Sequence, residues 1–282
     1  MTQLTQHTVD FGASDFPLSA DQEKALPAPA LHVPITLGAV SLGYNLPGIQ
    51  SGLKLTGDVL AGIYLGDIKN WNDQKIASLN PDLKLPNTPI AVVHRSEGSG
   101  TTFIFTSYLS AVSDTWKTKV GASGSVNWPV GIGAKGSEGV AGQVKQVPGG
   151  IGYFELAYSK QNNISYATVQ NKDGKFVEPS VAGASAAAAG AAGNMPADLK
   201  AVFPNPAGAD VYPISGFSWV IVYQAQADQN KGIALAQLLD WMVTDGQKLG
   251  ADLFYAPLPD QVVTLDRAQI RKITFQGKPL LS

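Results

Sequence analysis

The stretch PIAVVHRSEGSGTTFIFTSYLSAV, residues 89–112, joins a β-branched run to an amphipathic one. Residues 89–94 favour a buried strand, because valine and isoleucine pack well on a pleated sheet. After the polar turn, apolar residues recur at helical spacing: Phe105, Tyr108, Leu109 and Val112. The stretch therefore predicts a strand, a glycine-containing loop and a helix, the alternation that is typical of α/β proteins.

The loop between this strand and helix has the residues of an anion site. The first amides of a helix have no intrahelical acceptor and carry partial positive charge, so Ser99, Gly100 and Thr101 offer donors to an anion. Arg95 adds a planar, permanently charged fork, and Glu97 is placed to hold it. An ordinary capped helix with a surface Arg–Glu pair fits the same residues, so the loop alone leaves both interpretations open.

Working outward, short apolar runs alternate with amphipathic stretches along the 282 residues, which favours an α/β architecture. Further strands are expected at Thr8–Phe11 and in GIGYFE and WVIVYQ, and LHVPITLGAVSLGYN predicts extended segments broken at Pro34 and Gly38. A helix is expected over Thr56–Leu65 with Thr56 as N-cap. A second helix face is formed by Leu235, Leu238, Leu239 and Met242.

The alanine-rich run AGASAAAAGAAG, residues 182–193, is a low-complexity segment. Alanine favours helix and glycine weakens it, so this run predicts an exposed, fraying helix or a linker.

The composition excludes several classes of function. A net charge of −2 with 15% charged residues provides no basic field for nucleic acid or an anionic membrane. Without cysteine there is neither a disulfide nor a thiolate metal site, and the three histidines lack ligand spacing. GIGAKG, residues 131–136, matches a dinucleotide fingerprint, but Pro129 interrupts the strand that should precede it. We therefore expect no cofactor, no metal and no nucleic-acid partner.

A second informative stretch is TVDFGASDFPLS, residues 8–19, in which a strand ends on Asp15 at a turn that Pro17 fixes. Together with the loop above, AGIYLGDIKNWND (61–73), VNWPVGIGAKGSEGVAG (126–142) and VPGGIGYFELAYSKQNNISYA (147–167) extend a pattern over nearly the whole chain. The sequence resembles the phosphate-binding proteins of bacterial high-affinity phosphate ABC transporters.

The resemblance implies the type II periplasmic-binding-protein fold, with two α/β lobes, hinge strands and a phosphate cleft between the lobes. Lobe I would comprise residues 1–40 and 213–282, and lobe II residues 41–212, with crossings near 37–42 and 212–218. The implied function is to bind inorganic phosphate and deliver it to the membrane permease subunits of the transporter. The protein would be a periplasmic monomer and not an enzyme.

The family's motif carries over to phosphate-binding residues at Asp15, Arg95, Ser99, Gly100 and Thr101. By this resemblance Arg95 supplies charge, the Ser99 and Thr101 groups and the Gly100 amide donate hydrogen bonds, and Asp15 accepts one. Glu97 stands where the family often has aspartate, and this longer acid would still tether Arg95, but less tightly.

The sequence departs from the family at its start. The family has a secretion signal and a first βα unit before TVDFGASD, whereas this sequence opens at MTQLTQH. We therefore expect lobe I to be incomplete at its N-terminus and to expose a sheet edge. Two alternatives remain: an oxyanion-handling enzyme such as a phosphatase, which would need a nucleophile or a metal cluster near Arg95, and a remnant that binds weakly.

Overall fold

The structure, a computed structural model, describes residues 2–281. The chain divides into two compact units: unit 1 comprises Met1–Leu37, Ala191–Val202 and Phe217–Ser282, and unit 2 comprises Gly38–Gly190 and Phe203–Gly216. Ala191–Val202 belongs to unit 1, whereas the lobe boundaries predicted from the sequence put it in lobe II. The predicted lobes with a ligand cleft between them stay a prediction.

The strands are mostly short, apart from two long ones that pass from one unit to the other. They are β1 (Phe11–Ser14), β2 (Ala30–Tyr44), β3 (Lys54–Leu55), β4 (Ala91–Arg95), β5 (Ile132–Ala134), β6 (Gly150–Glu155), β7 (Ser165–Tyr166), β8 (Thr168–Gln170), β9 (Phe176–Val177), β10 (Ser215–Tyr223), β11 (Thr274–Phe275) and β12 (Lys278–Pro279).

The helices alternate with these strands, as the sequence predicts. They are α1 (Thr2–Thr5), α2 (Ala20–Lys24), α3 (Gly57–Leu65), α4 (Gln74–Ala77), α5 (Gly100–Val112), α6 (Asp114–Lys119), α7 (Gly136–Gln146), α8 (Leu156–Asn162), α9 (Val181–Ala192), α10 (Gln229–Val243) and α11 (Asp260–Ile270), with 3₁₀ turns at Asp245–Leu249 and Ala251–Leu253. No described helix combines the length and the apolar character that crossing a bilayer requires.

Strand β2 corrects the prediction of segments broken at Pro34 and Gly38. It runs without interruption over Ala30–Tyr44, and most of its side chains are buried. Proline's fixed φ lies within the extended region, so Pro34 removes one donor from the ladder but does not end the strand. The first strand is also displaced from the predicted Thr8–Phe11, because β1 begins at Phe11.

Helix α9 corrects the prediction of an exposed segment. Several of its alanines are fully buried, among them Ala184, Ala187 and Ala188. A Cβ added at Gly183 would come within 2.9 Å of the Tyr212 side chain. The small residues therefore serve close packing, and the helix is part of the core rather than a linker.

The sheet of unit 2 places the carboxyl ends of three parallel strands side by side. Strand β4 pairs in parallel with β5 on one side, with Val93 opposite Ile132, and with β6 on the other, with Val93 opposite Gly152. Strand β6 pairs antiparallel with β2. Helix α7 packs on this sheet through a buried cluster: Val93, Val140, Ala141, Val144, Phe154 and Ile164. In such sheets the loops at the carboxyl ends of the parallel strands are the usual place for a ligand.

In unit 1, β1 pairs antiparallel with β10, and Phe11 lies opposite Val222. The face of these strands packs on a small cluster that includes Leu4, Leu18, Ile221 and Tyr223. The Tyr223 hydroxyl donates to the Leu4 carbonyl at 2.9 Å. These contacts fix α1 against the sheet.

Helix α11 carries a buried carboxyl group. Asp266 is 0% exposed, and neither of its side-chain oxygens has a hydrogen-bond partner among the described residues. Burial raises the pKa of Asp266 to about 9, because an apolar surrounding disfavours the charged form. At neutral pH the folded protein therefore holds this group protonated.

We predict that Gly43→Ala destabilises unit 2. A Cβ at Gly43 would lie 2.2 Å from the ring of Phe154, which is fully buried in the unit 2 core and has little room to move. Overpacking of this kind costs about 1–3 kcal/mol in the free energy of unfolding. Chemical denaturation measures it, with Gly142→Ala as the control.

Gly142 lies on α7, and a Cβ there would meet nothing within 4 Å. Its replacement by alanine is expected to be neutral or stabilising, by up to about 1 kcal/mol. Equal effects of the two substitutions would contradict the packing argument.

Candidate functional site

The loop that follows β4 leads into the N-terminus of α5. Ser99 is the N-cap of α5, and its hydroxyl oxygen accepts a hydrogen bond from the Thr102 amide at 3.3 Å. The Ser99 amide donates to the Gly124 carbonyl at 2.8 Å. The Gly100 and Thr101 amides have no acceptor within the described part of the chain. The helix start therefore presents two backbone donors at its positive end.

Arg95, the last residue of β4, is held firmly beside this helix start. Its Nε and Nη2 donate to Glu97 Oε1 at 2.8 and 2.6 Å, and its Nη1 donates to the Ser137 hydroxyl at 3.2 Å. The side chain is only 14% exposed. The other N–H bonds of the guanidinium have no partner among residues 2–281, so they remain available to an anion.

Glu97 is the tether of the guanidinium. Its Oε1 also accepts from the Gly136 amide at 3.0 Å. Partial burial by itself would raise the pKa of Glu97, but the hydrogen bonds from Arg95 and Gly136 and the charge of Arg95 outweigh it and hold the pKa below its usual value. Glu97 therefore stays ionised at neutral pH, in contact with the Arg95 guanidinium.

A second carboxylate that the sequence reasoning did not assign lies on the other side of Arg95. Glu155, at the end of β6, accepts a hydrogen bond from the Thr101 hydroxyl and another from the Ser137 hydroxyl at 2.7 Å. Ser137 thus connects Arg95 to Glu155. The signal was present in the sequence, since GIGYFE ends a buried strand on an acidic residue, but the pairing of β6 with β4 is not readable from spacing.

The glycine-rich GIGAKG stretch does not have the structural role that the dinucleotide motif it matches would have. It forms β5 and the turn into α7, in which Gly136 has φ of +73° and donates its amide to Glu97. The ends of β4, β5 and β6 thus contribute Arg95, the Gly136–Ser137 turn and Glu155 to one site.

A cavity of about 430 Å³ lies next to the loop, and Arg95, Glu97 and Trp128 are among its lining residues. The Trp128 indole stacks on the His94 ring at 4.9 Å between centroids, and on the Tyr153 ring at 5.6 Å. The Tyr153 hydroxyl accepts from the Arg95 amide at 3.2 Å. An aromatic wall therefore supports the backbone from which the guanidinium extends.

The structure brings four of the five predicted site residues together in unit 2: Arg95, Ser99, Gly100 and Thr101. Asp15 belongs to unit 1, where it follows β1 and accepts a hydrogen bond from the Ser218 hydroxyl of β10 at 2.5 Å. That bond fixes one oxygen of the Asp15 carboxylate.

Comparison with known proteins adds independent information. Residues 1–246 match the family described as "PBP superfamily domain". The phosphate-binding protein PstS of Xylella fastidiosa (strain Temecula1 / ATCC 700964) is 44% identical over 264 residues, which cover 93% of this chain and 72% of that protein. The PstS of Haemophilus influenzae (strain ATCC 51907 / DSM 11121 / KW20 / Rd) is 41% identical over 270 residues, which cover 95% and 80%.

Solved structures agree on the fold. A high-affinity periplasmic phosphate-binding protein in complex with phosphate superposes with a TM-score of 0.71 at 24% identity, covering 92% of this chain and 78% of that one. An ancestral soluble variant of the human phosphate binding protein gives a TM-score of 0.70 at 23% identity, with coverage of 92% and 79%. The type II periplasmic-binding-protein fold that the sequence predicts is confirmed. The chain belongs to the PBP superfamily and, within it, to the family of the PstS phosphate-binding proteins.

Proposed function

We propose that this protein binds inorganic phosphate and delivers it to the permease subunits of an ABC transporter. The observation that carries the proposal is the arrangement of Arg95 next to the unpaired amides of Gly100 and Thr101 at the start of α5. A tetrahedral oxyanion suits both groups, since the guanidinium binds two oxygens at once and helix amides bind a third. The PstS relatives carry phosphate binding in their names.

The proposed contacts follow from these positions. Arg95 supplies the positive charge, Gly100 and Thr101 donate their amides, and the Ser99 hydroxyl, whose oxygen caps α5, still has its hydrogen to donate. Asp15 is proposed as the acceptor for a P–OH group, and this role rests on the sequence resemblance. Glu97 holds Arg95 in place.

The protein is proposed to act by binding alone, as a periplasmic monomer that works with a membrane permease. This follows the phosphate-binding proteins that it resembles, one of which is described as periplasmic. Phosphate titration combined with a chromogenic phosphate-ester assay separates this function from a phosphatase-like one. Tight binding without turnover is expected, and turnover that Arg95→Ala abolishes would favour the enzyme.

Arg95→Ala is expected to weaken phosphate binding by about 2–5 kcal/mol, the range for truncating one side of a buried charge-assisted pair. The loss also leaves Glu97 without its counter-charge. Arg95→Lys should recover only part of the affinity, because an ammonium group cannot make the bidentate contact. Titration calorimetry measures both.

Arg267→Ala is the matched control, because it removes the same charge from an exposed pair with Asp240. Phosphate affinity should be unchanged in that variant. If Arg95→Ala also binds as tightly as the unmodified protein, the assignment of the loop as an anion site is wrong.

A further inference from the structure

His32 is a buried polar residue of strand β2 in unit 1, only 2% exposed. Its Nε2 lies 3.1 Å from the amide nitrogen of Leu18. A backbone amide can only donate a hydrogen bond, so Nε2 is the acceptor and carries no proton. The geometry therefore identifies His32 as a neutral imidazole with its proton on Nδ1.

The amide that His32 holds belongs to the turn that presents Asp15. Leu18 lies three positions after Asp15, and its side chain is buried in the small apolar cluster of unit 1. A neighbouring side-chain bond of the turn is local, since the Ser14 hydroxyl donates to the Phe16 carbonyl at 2.7 Å. The bond from Leu18 to His32 instead spans 14 positions and ties the turn to strand β2.

The charged groups around His32 keep this acceptor available. They are Lys200, Glu23 and Asp198, and the Lys200 ammonium pairs with Glu23 Oε1 at 2.8 Å and with Asp198 Oδ2 at 3.0 Å. Burial first, and then the charge of Lys200, lower the pKa of His32 to about 4, against the opposite effect of the two carboxylates. The imidazole is therefore neutral at neutral pH, and its bond to Leu18 persists there.

We propose that His32 is a positioning residue for Asp15: by accepting from the Leu18 amide, it holds the turn where Asp15 discriminates a protonated oxyanion from an unprotonated one. The inference rests on the proposed function, in which Asp15 accepts a hydrogen bond from a P–OH group. His32 acts through the backbone of the turn and is not itself a ligand contact.

A carboxylate discriminates between anions of the same shape only while its position is fixed. Binding groups have to be held within about 0.5 Å of their working geometry by the residues behind them. Without an acceptor at His32, the Leu18 amide would be buried and unpaired, a cost that the turn avoids by shifting towards water. Asp15 would shift with it, and a displaced carboxylate both loses the P–OH of phosphate and repels sulfate less.

The test compares three replacements of His32 by their affinities for inorganic phosphate and for sulfate, measured by titration calorimetry at neutral pH and constant ionic strength. His32→Leu removes the acceptor and should lower the phosphate-to-sulfate affinity ratio by roughly 10- to 100-fold, the range for removing a residue that supports a ligand-binding group in metal sites. His32→Gln can place its amide oxygen where Nε2 lies and should retain most of the ratio. His32→Asn carries the same amide on a side chain too short to reach Leu18, so it should behave like the leucine variant.

A second comparison separates positioning from a general loss of stability. In the Asp15→Asn background, His32→Leu should change the affinity ratio little further, because its effect passes through the Asp15 carboxylate. Val262→Ala removes buried side-chain volume from α11 in the same unit. It should lower the free energy of unfolding and leave the affinity ratio unchanged.

An affinity ratio in His32→Leu equal to that of the unmodified protein would overturn the inference. So would an effect of His32→Leu that persists in full in the Asp15→Asn background. If the leucine variant does not fold, the glutamine and asparagine variants decide, and equal ratios in those two would overturn the inference as well. Absence of phosphate binding in the unmodified protein would refute the proposed function and the inference with it, whereas phosphate binding with unaltered ratios refutes the inference alone.

Discussion

Asp266→Asn is expected to raise the free energy of unfolding by about 4 kcal/mol at pH 7. In the folded protein the pKa of Asp266 lies at about 9, against an ordinary value of 3.8. Holding the proton costs about 1.36 kcal/mol for each pH unit above that ordinary value, because the unfolded chain releases it freely. Asparagine has the same shape, is equally buried and never has to be protonated.

The sign can be followed through the titration. Below about pH 4, Asp266 is protonated in both the folded and the unfolded protein, and its burial costs no proton uptake. As the pH rises to about 9, only the unfolded protein releases the proton, so the free energy of unfolding falls progressively. The two proteins should therefore be equally stable near pH 4 and diverge steadily above it. Urea denaturation at several pH values measures this, with the exposed Asp252→Asn as the control. If the free energies of unfolding of the unmodified protein and of Asp266→Asn instead change in parallel with pH, Asp266 has a polar partner in solution.

Asp15→Asn is expected to reduce the preference for phosphate over sulfate by on the order of 10⁴-fold. Sulfate matches phosphate in size and shape but has no proton, so it would confront the Asp15 carboxylate without a hydrogen bond between them. An asparagine amide can donate to sulfate instead. Its carbonyl oxygen can still accept from the Ser218 hydroxyl as Asp15 Oδ1 does at 2.5 Å, so the local structure should survive.

The measurement is displacement of bound phosphate by sulfate at constant ionic strength. Asp10→Asn is the matched control, because Asp10 precedes the same strand and pairs with Lys231 at an exposed position. Its selectivity should equal that of the unmodified protein. A preference that Asp15→Asn leaves intact would remove Asp15 from the binding site.

The core of the candidate site was predictable because it is local in sequence. The β-branched run, the polar turn and the helical spacing after it correspond to β4, the loop and α5, and Phe105, Tyr108 and Leu109 are buried as the spacing indicates. Thr56 caps α3 as predicted. The helix around Leu235 is also present, although Leu238 points to solvent at 37% exposure while Leu235 and Leu239 are buried.

What was not predictable depends on tertiary neighbours. Glu155 and Ser137 reach the site only because β4 lies between β5 and β6, and strand order leaves no trace in the spacing of residues. The burial of α9 follows from the close approach of Tyr212 to Gly183, which composition cannot reveal. The intrinsic helix propensity of the alanine-rich segment applies to an isolated peptide, and in the folded protein tertiary packing overrides it.

The pairing of β1 with β10 has a consequence for how the chain is made. Phe11 and Val222 are 211 positions apart (222 − 11), so β1 leaves the ribosome long before its partner exists. At ~5–20 residues per second the interval is roughly 10–40 s, during which unit 2, formed almost entirely from the intervening segment, can fold first. During that interval β1 lacks its partner strand, so the pairing with β10 is a late step in the folding of unit 1, and a chaperone that shields the nascent chain would protect β1 until then.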